Sequence, residues 1–354
     1  MPEEPLKIAM VAPPFYEIPP SGYGGIEAVV ALLADGLVDR GHDVTLIAAG
    51  QQGTRARLVQ TFDEPQWPRL GTPEPELLHA ARVSGLLDEL QPDVVHDHSA
   101  AGPAFVRDRR APLVITSHGP ATGDWGDYLQ AAGAGMYLVA ISQAQVDLTP
   151  ELPWRRVVHN ALDVREIPFR AEKEDHLVWM ARFSPDKAAH LAIDVARKAG
   201  RRLLLAGKLS EPDEHEYFRA EVEPHLGPDV EFLEELAGDD KYDVLGRAAG
   251  FLFPLQWEEP FGMVLIEAMA CGTPVLSLRR GAVPEVVVDG VTGYVRENAD
   301  ELVDAIDQLP DIDPQACRDH VERNFSVGRM VDGYEEAYRD CITGTSTSSG
   351  AATA

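Results

Sequence analysis

The sequence predicts an α/β protein made of two doubly wound domains, each with a parallel sheet between layers of helices. The first observation is length, because 354 residues exceed a single ordinary core and favour two domains. The second is composition, since 45% hydrophobic and 25% charged residues describe a soluble globular protein. The third is that strand-like and helix-like segments alternate in two successive series, and such alternation predicts a parallel sheet.

The first series begins with an apolar strand over residues 6–12. A helix is predicted from about Ile26 to Asp39 and a second strand from Asp43 to Ala48, which together complete a βαβ unit. The helix has one apolar face for packing on a sheet, formed by Ile26, Val29, Val30, Leu33 and Leu37. Further strands are predicted at Asp93–His96, Leu113–Ser117, Met136–Ile141 and Arg156–His159.

The second series begins with a strand near His176. It continues with the helix Ala188–Lys198, the strand Arg202–Ala206, the helix Glu214–Val222 and the strand Val230–Leu233. The charged segment Asp163–Asp175 is the best linker candidate, so we expect domains over residues 1–165 and 166–325. A last helix, residues 326–342, precedes a small polar tail, residues 343–354, that we expect to be disordered.

Two glutamates in the second series mark the most informative part of the sequence. Glu259 follows the apolar strand Phe251–Leu255, and Glu267 lies within the helix Met263–Ala270. This helix is otherwise apolar, and a carboxylate on such a helix needs a partner. Unpaired amides at the start of a helix attract phosphate, and here they belong to Gly262, Met263 and Val264. A phosphate flanked by two carboxylates that can bind hydroxyls suggests a nucleotide sugar.

The segment EPFGMVLIEAMACGTPVLS, residues 259–277, closely resembles the signature of the retaining, GT-B-fold glycosyltransferases of family four, group 1. The resemblance implies two Rossmann-like domains that face one another across a cleft, with the final helix returning to the first, acceptor-side domain. It also implies metal-independent transfer, with retention, from a nucleoside diphosphate donor, UDP- or GDP-sugar, to a hydroxylated acceptor. No cofactor other than this nucleotide-sugar co-substrate is then expected.

The same resemblance implies roles for residues of the second domain. Glu259 would orient the sugar hydroxyls, and Glu267 would hold the ribose hydroxyls. The turn that opens the helix would hold the diphosphate, through Gly262, Met263, Val264 and Leu265. The pair Arg182 and Lys187, in the segment MARFSPDKAAH, resembles the cationic pair of the family and would neutralise the leaving diphosphate. Ala188 departs from the pattern, because the family usually has glycine there.

Two motifs of the first domain also resemble family positions. Gly24 and Gly25 match paired glycines whose loop lets backbone approach the donor phosphates or the acceptor. A dinucleotide fingerprint is excluded, because Glu27 occupies the third glycine position and no acidic residue ends the second strand. His118 resembles the family histidine that reaches the donor sugar. A simple tight turn at the glycines and a structural histidine remain the alternatives.

Charge and metal-ligand spacing limit the possible partners. The formal net charge of −27 opposes binding to nucleic acid and to anionic membranes. The three unclustered cysteines favour reduced thiols, and the acidic N-terminus does not resemble a signal peptide, so a cytoplasmic location is expected. His96, Asp97 and His98 would alternate in direction along a strand, so they are not expected to form a metal site.

Three functional hypotheses follow from the sequence. The first is a glycosyltransferase that acts on a small-molecule, glycan or lipid-linked acceptor. The second is a sugar-nucleotide epimerase or hydrolase, because related two-domain folds host these activities. The third is a non-catalytic nucleotide-sugar-binding protein, although this chain keeps both Glu259 and the Arg–Lys pair. The sequence does not identify the sugar, the nucleobase or the acceptor.

Overall fold

A computed structural model describes residues 4–22, 24–51, 53–104, 111–133 and 135–344. The chain divides into two compact units: the first holds Met1–Ala161 with Val327–Ala354, and the second holds Leu162–Ser326. The tail expected to be disordered lies outside the described residues from position 345 onward. Within the described ranges, no helix is both long enough and apolar enough to cross a membrane.

The first unit is built on a parallel sheet of seven strands. These are β1 Lys7–Val11, β2 Asp43–Ala49, β3 Arg57–Phe62, β4 Val94–Asp97, β5 Leu113–Ser117, β6 Met136–Ala140 and β7 Trp154–Val157. Their order across the sheet is β3-β2-β1-β4-β5-β6-β7. In the described part of this unit, the α-helices that lie between them in the chain are α1 Gly25–Asp39, α2 Glu74–Leu90, α3 Gly123–Ala132 and α4 Gln143–Leu148. The strands β1, β4, β5 and β6 are buried almost throughout, as expected for a sheet covered on both faces.

The second unit repeats this plan with six parallel strands. These are β8 His176–Met180, β9 Arg202–Ala206, β10 Val230–Phe232, β11 Gly250–Phe253, β12 Val275–Leu278 and β13 Gly293–Arg296, in the order β10-β9-β8-β11-β12-β13. The helices are α5 Ala189–Lys198, α6 Pro212–Tyr217, α7 Gly238–Arg247, α8 Met263–Ala270, α9 Val283–Val286, α10 Ala299–Ile306 and α11 Pro314–Asn324. A π-helical turn, Phe218–Val222, follows α6, so the helix predicted over Glu214–Val222 has two parts.

The last helix, α12 Val327–Thr343, packs within the first unit against α1, β4 and β5. Its inner face is buried and includes two tyrosines, Tyr334 and Tyr338. Polar contacts complete the packing at the edge, where Glu335 of α12 forms an ion pair with Arg40 and a hydrogen bond with His42. The helix therefore belongs to the same core as the strands it covers.

Both sheets reverse their strand order at one place, the switch point, which lies between β1 and β4 in the first unit and between β8 and β11 in the second. The loops that leave the carboxyl ends of two such strands run in opposite directions, which opens a crevice between them. Ligands of doubly wound proteins bind in this crevice. The residues that follow β8 and β11 are therefore the first place to look for a site.

Candidate active site

The loops that leave β8 and β11 lie side by side in the second unit. The amide of Gln256, in the second loop, donates a hydrogen bond of 2.7 Å to the carbonyl of Asp186 in the first. The buried indole of Trp179, on β8, donates to the carbonyl of Lys187 at 3.0 Å. These backbone contacts fix the two loops to one another and to the sheet. They bring a cation from one loop and an acid from the other into contact.

Lys187 and Glu259 form a buried ion pair at this point. The Lys187 ammonium lies 2.5 Å from Oε2 of Glu259, and the two side chains are only 13% and 10% exposed. The indole N–H of Trp257 donates to the same oxygen at 3.0 Å. The ammonium also lies 4.3 Å from the centroid of the Trp257 ring, within cation–π distance. Two predicted site residues, 72 positions apart, therefore meet directly.

The backbone of Glu259 packs against Gly281 and Ala282 of another loop. The carbonyl of Glu259 accepts a hydrogen bond of 2.8 Å from the amide of Ala282. Gly281, next to it, has φ of +49°, and a Cβ atom there would lie 2.3 Å from that carbonyl oxygen. No side chain fits this close approach, so the contact requires glycine. Gly281 thus supports the loop that carries the acid.

The turn before α8 presents two backbone amides. Gly262 caps the helix with φ of +85°, and a Cβ atom there would meet Leu265 Cδ1 at 2.8 Å, so this position also requires glycine. The amides of Met263 and Val264 make no hydrogen bond to any described residue. The amide of Leu265 donates to the carbonyl of Gly262 at 3.0 Å, and its side chain is fully buried. Within the predicted turn, Met263 and Val264 are therefore better placed than Leu265 to bind an anion.

Glu267, on α8, has the partner that its apolar helix requires. The ammonium of Lys241, from α7, donates to Glu267 Oε1 at 2.7 Å. Burial opposes the charge on Lys241, but the adjacent carboxylate raises the pKa of this ammonium above its usual value. Both side chains are mostly buried, at 21% and 14% exposure. Sequence reasoning missed Lys241, because the strand β11 separates its helix from the helix of Glu267 in the chain.

Arg182 is paired with an acid of its own. Its guanidinium lies 3.3 Å from Oε1 of Glu214, a buried residue on α6. The other carboxylate oxygen of Glu214 accepts from the amides of Ser210 and Glu211, which fixes it in place. Arg182 itself is 41% exposed, so its charge faces solvent more than that of Lys187.

Ala188 occupies the position where the family usually has glycine. It is the N-cap of α5 and has φ of +55° and ψ of +50°, which is the left-handed conformation that glycine adopts at little cost. The residue is fully buried. The substitution therefore leaves the left-handed backbone in place and adds local strain.

In the first unit, Gly24 and Gly25 lie at the start of α1, as the N-cap and the first helical residue. Glu27, in the same first turn, is 4% exposed, and burial raises the pKa of its carboxyl to about 7. A buried carboxyl with a raised pKa beside this loop was not predicted from the sequence. In the sequence, the only notable feature of Glu27 is that it lies in the glycine-rich segment.

His118 follows β5 and contacts a second histidine. Its Nε2 lies 2.8 Å from Nδ1 of His98, and the two rings are stacked. His96 packs against His98 with ring centroids 4.0 Å apart, and its nitrogens are hydrogen-bonded to Thr116 and to Tyr338 of α12. Burial lowers the pKa of His118 to about 4 and also lowers the pKa of His96 and His98 well below the usual value, so all three are neutral at pH 7.

Among the described residues, no group of three or more histidine, cysteine, aspartate or glutamate side chains has the geometry to hold a metal ion. His96 and His98 lie on one side, as expected, while Asp97 accepts hydrogen bonds from the amide and hydroxyl of Ser99. The three cysteines are free thiols. Burial raises the pKa of Cys271 and of Cys317 to about 12, so these thiols are unreactive.

Both units match known family models. Residues 162–324 match the model described as Glycosyl transferases group 1, and residues 23–166 match Glycosyltransferase Family 4. The chain belongs to the family 4 glycosyltransferases. The family assignment made from the sequence and the fold predicted from it, GT-B with two doubly wound sheets, are both confirmed.

Several known proteins are similar to this chain over most of its length. AviGT4, a glycosyltransferase involved in avilamycin A biosynthesis, is 29% identical and covers 96% of this chain and 99% of its own, with a TM-score of 0.73. A glycogen synthase of Mycobacterium tuberculosis is 26% identical over 350 residues, 81% of each chain. Anabaena Alr3699/HepE, solved in complex with UDP-glucose, is 19% identical with a TM-score of 0.71, covering 95% of this chain and 100% of its own. The chain is thus a glycosyltransferase that takes its sugar from a nucleotide-sugar donor.

Proposed function

We propose that this enzyme transfers a sugar, with retention, from a UDP- or GDP-linked donor to a hydroxyl group of a small-molecule, glycan or lipid-linked acceptor. The buried pair of Lys187 and Glu259 at the switch point of the second sheet carries the proposal. A diphosphate requires a cation, and sugar hydroxyls require a hydrogen-bond acceptor fixed close to that cation. The pair supplies both in one place.

The remaining groups of the second unit complete the donor site in this proposal. The amides of Met263 and Val264 bind a phosphate oxygen at the positive end of α8. Arg182 adds a second cation for the diphosphate. Glu267, held by Lys241, accepts hydrogen bonds from the ribose hydroxyls. In the first unit, neutral His118 is proposed to hydrogen-bond a substrate hydroxyl.

The proposed reaction needs no protein nucleophile. The acceptor oxygen forms a bond to the anomeric carbon on the face from which the diphosphate leaves. The bond from that carbon to the phosphate oxygen breaks, its electron pair stays on the diphosphate, and the departing phosphate takes the acceptor proton. Lys187, Arg182 and the helix amides stabilise the negative charge that accumulates on the leaving group.

UDP-glucose is the first donor to test, because Anabaena Alr3699/HepE has been solved with it. The enzyme is incubated with UDP-glucose or GDP-mannose and a set of hydroxylated acceptors, with and without EDTA. We expect release of the nucleoside diphosphate that depends on the acceptor and persists in EDTA. The proton coupling constant at the new anomeric centre should show the configuration of the donor.

Matched variants distinguish the effect of a substitution in the proposed site from the effect of a substitution elsewhere on the surface. Lys187→Gln should abolish most transfer, whereas Lys198→Gln, which breaks the exposed pair of Lys198 and Asp300, should not. Donor conversion without any acceptor would favour the epimerase or hydrolase alternative. Donor binding without any turnover would favour a binding protein.

A further inference from the structure

Trp257 lies in the loop that follows β11, outside the segment that resembles the family signature. The signature segment begins at Glu259, and Trp257 lies two positions before it, after the end of β11. Its side chain is half-buried, with the indole N–H directed at the carboxylate and the ring beneath the Lys187 ammonium. One residue therefore contacts both members of the central ion pair.

The two oxygens of Glu259 have different surroundings. Oε2 accepts two hydrogen bonds, from the Lys187 ammonium at 2.5 Å and from the Trp257 indole at 3.0 Å. Oε1 accepts none from the described residues, although Glu259 as a whole is buried. A carboxylate held through one oxygen presents the other in a defined direction. Oε1 is thus the oxygen available to a sugar hydroxyl.

The two donors respond differently to a diphosphate. A Lys ammonium is a mobile point charge with three N–H groups, and a nearby dianion draws it away from a carboxylate. The indole N–H is neutral, is only a donor, and belongs to a rigid ring with two rotatable bonds. When the donor nucleotide shares Lys187, Trp257 is the contact that still fixes Glu259.

We propose that Trp257 is a positioning residue, whose indole N–H keeps Glu259 aimed at the donor sugar while Lys187 engages the diphosphate. This inference rests on the proposed function and specifies how the site distinguishes a sugar nucleotide from the bare nucleotide. It assigns the ring and the N–H of Trp257 separate tasks. The ring holds Lys187, and the N–H holds Glu259.

The substitution Trp257→Phe separates these tasks, because it keeps an aromatic ring and removes the N–H. Binding of UDP, UDP-glucose, GDP and GDP-mannose is measured by calorimetry for the wild type, for this variant and for Glu259→Ala. Trp154→Phe is the matched control, since Trp154 donates a comparable 2.9 Å indole bond to the carbonyl of Thr149 in the first unit.

For the nucleotide that the wild type prefers, Trp257→Phe should lose about tenfold in affinity for the sugar nucleotide, because a hydrogen bond to a charged group is lost. Affinity for the bare nucleoside diphosphate should stay within about twofold, because Glu259 does not contact it. The ratio of the affinity for the sugar nucleotide to the affinity for the nucleoside diphosphate should therefore be lower in Trp257→Phe and approach the ratio in Glu259→Ala. In Trp154→Phe this ratio should equal that of the wild type.

Other results overturn the inference in distinguishable ways. If Trp257→Phe weakens both ligands equally, Trp257 supports the loop as a whole and does not position Glu259. If its ratio equals that of the wild type while Glu259→Ala lowers it, Lys187 alone positions the carboxylate. If the wild type binds none of the four nucleotides, the proposed donor site itself fails and this inference fails with it.

Discussion

At the switch point of the second sheet, Lys187 and Glu259 form a buried ion pair, whereas beside the switch point of the first sheet three histidines, buried His96 and His98 and half-buried His118, are uncharged. The two sheets have the same strand order where they correspond. In both sheets, the topology therefore places a crevice at the carboxyl ends of the corresponding strands. The side chains in each crevice determine what it can bind. A fixed charge pair suits a diphosphate with its sugar, and neutral imidazoles suit hydroxyl groups.

The largest expected effect comes from breaking the ion pair of the second sheet. Lys187→Ala should lower kcat by about 10²–10³-fold, because the leaving diphosphate loses a preorganised cation. It should also cost about 3 kcal/mol of stability, because Glu259 is left buried without its cation. Steady-state kinetics and urea unfolding of the same samples measure both effects.

The double variant sharpens this prediction. Removing Glu259 as well eliminates the uncompensated charge, so Lys187→Ala with Glu259→Ala should be more stable than the sum of the single losses predicts. Strict additivity of the two losses would show that the residues do not interact in solution. Wild-type kinetics in Lys187→Ala would contradict the assignment of the donor site.

The next effect concerns the neutral histidines of the first sheet. The pKa of His118 is about 4 in the folded protein and about 6.5 in an unfolded chain, so the folded state binds fewer protons between these values. The stability of the wild type therefore includes a contribution that is lost as pH falls from 6.5 to 4. In His118→Asn, the decrease in the free energy of unfolding as the pH falls should be smaller than in the wild type by up to about 3 kcal/mol.

The measurement compares urea unfolding at pH 7 and at pH 4.5 for the wild type and the variant. Glu27 and Glu76 have a raised pKa of about 7, so their protonation favours the folded state as the pH falls, opposite to the effect of the histidines. Both carboxyls are present in the wild type and in the variant, so their contribution cancels when the two proteins are compared. His215→Asn, which removes an exposed imidazole, is the matched control. Equal loss of stability in the wild type and in His118→Asn would contradict a neutral His118 in the folded protein.

A smaller effect is expected at the other acid of the second unit. Glu267→Ala should weaken donor binding by about tenfold and change kcat less, because ribose contacts are the same in the ground state and the transition state. Donor KM and kcat are compared with those of Glu297→Ala, which removes an exposed carboxylate paired with Arg279. A loss confined to kcat would contradict a role in ribose binding.

The smallest effect is expected at Ala188. Replacing it with glycine should raise stability by about 0.5–1 kcal/mol, because glycine adopts the left-handed conformation without strain. Ala192→Gly, in the interior of the following helix, should lower stability by about 1 kcal/mol. Urea unfolding of both variants measures the contrast, and two changes of the same sign would contradict a strained Ala188.

The same contrast between the two sheets explains what the sequence could predict. In the second unit, the turn, the helix and both glutamates lie within one short segment, so the residue pattern of that segment, together with its family resemblance, predicts them as a group. The residues that pair with Glu267, Arg182 and Glu259 did not show a pattern, because they make tertiary contacts or belong to no motif; they are Lys241, Glu214 and Trp257. Local spacing does not reveal contacts between separate elements.

In the first unit, the histidines were visible one by one but not as a group. His98 and His118 are 20 positions apart and meet because β4 and β5 are neighbours in a parallel sheet. The strand β3 was missed for a different reason. It lies at the edge of the sheet and only Thr61 in it is buried, so it shows no regular alternation of apolar and polar residues.

The central claim is that the switch point of the second sheet binds a nucleotide sugar, and thermal unfolding with a panel of UDP-, GDP- and ADP-sugars tests it most directly. At about 100 times the dissociation constant, a matching donor should add roughly 2.7 kcal/mol of stability. The account predicts a clear rise in Tm with one nucleotide class, reduced in Lys187→Ala and in Glu267→Ala. No rise in Tm with any donor would contradict it, and so would a rise in both variants as large as that of the wild type.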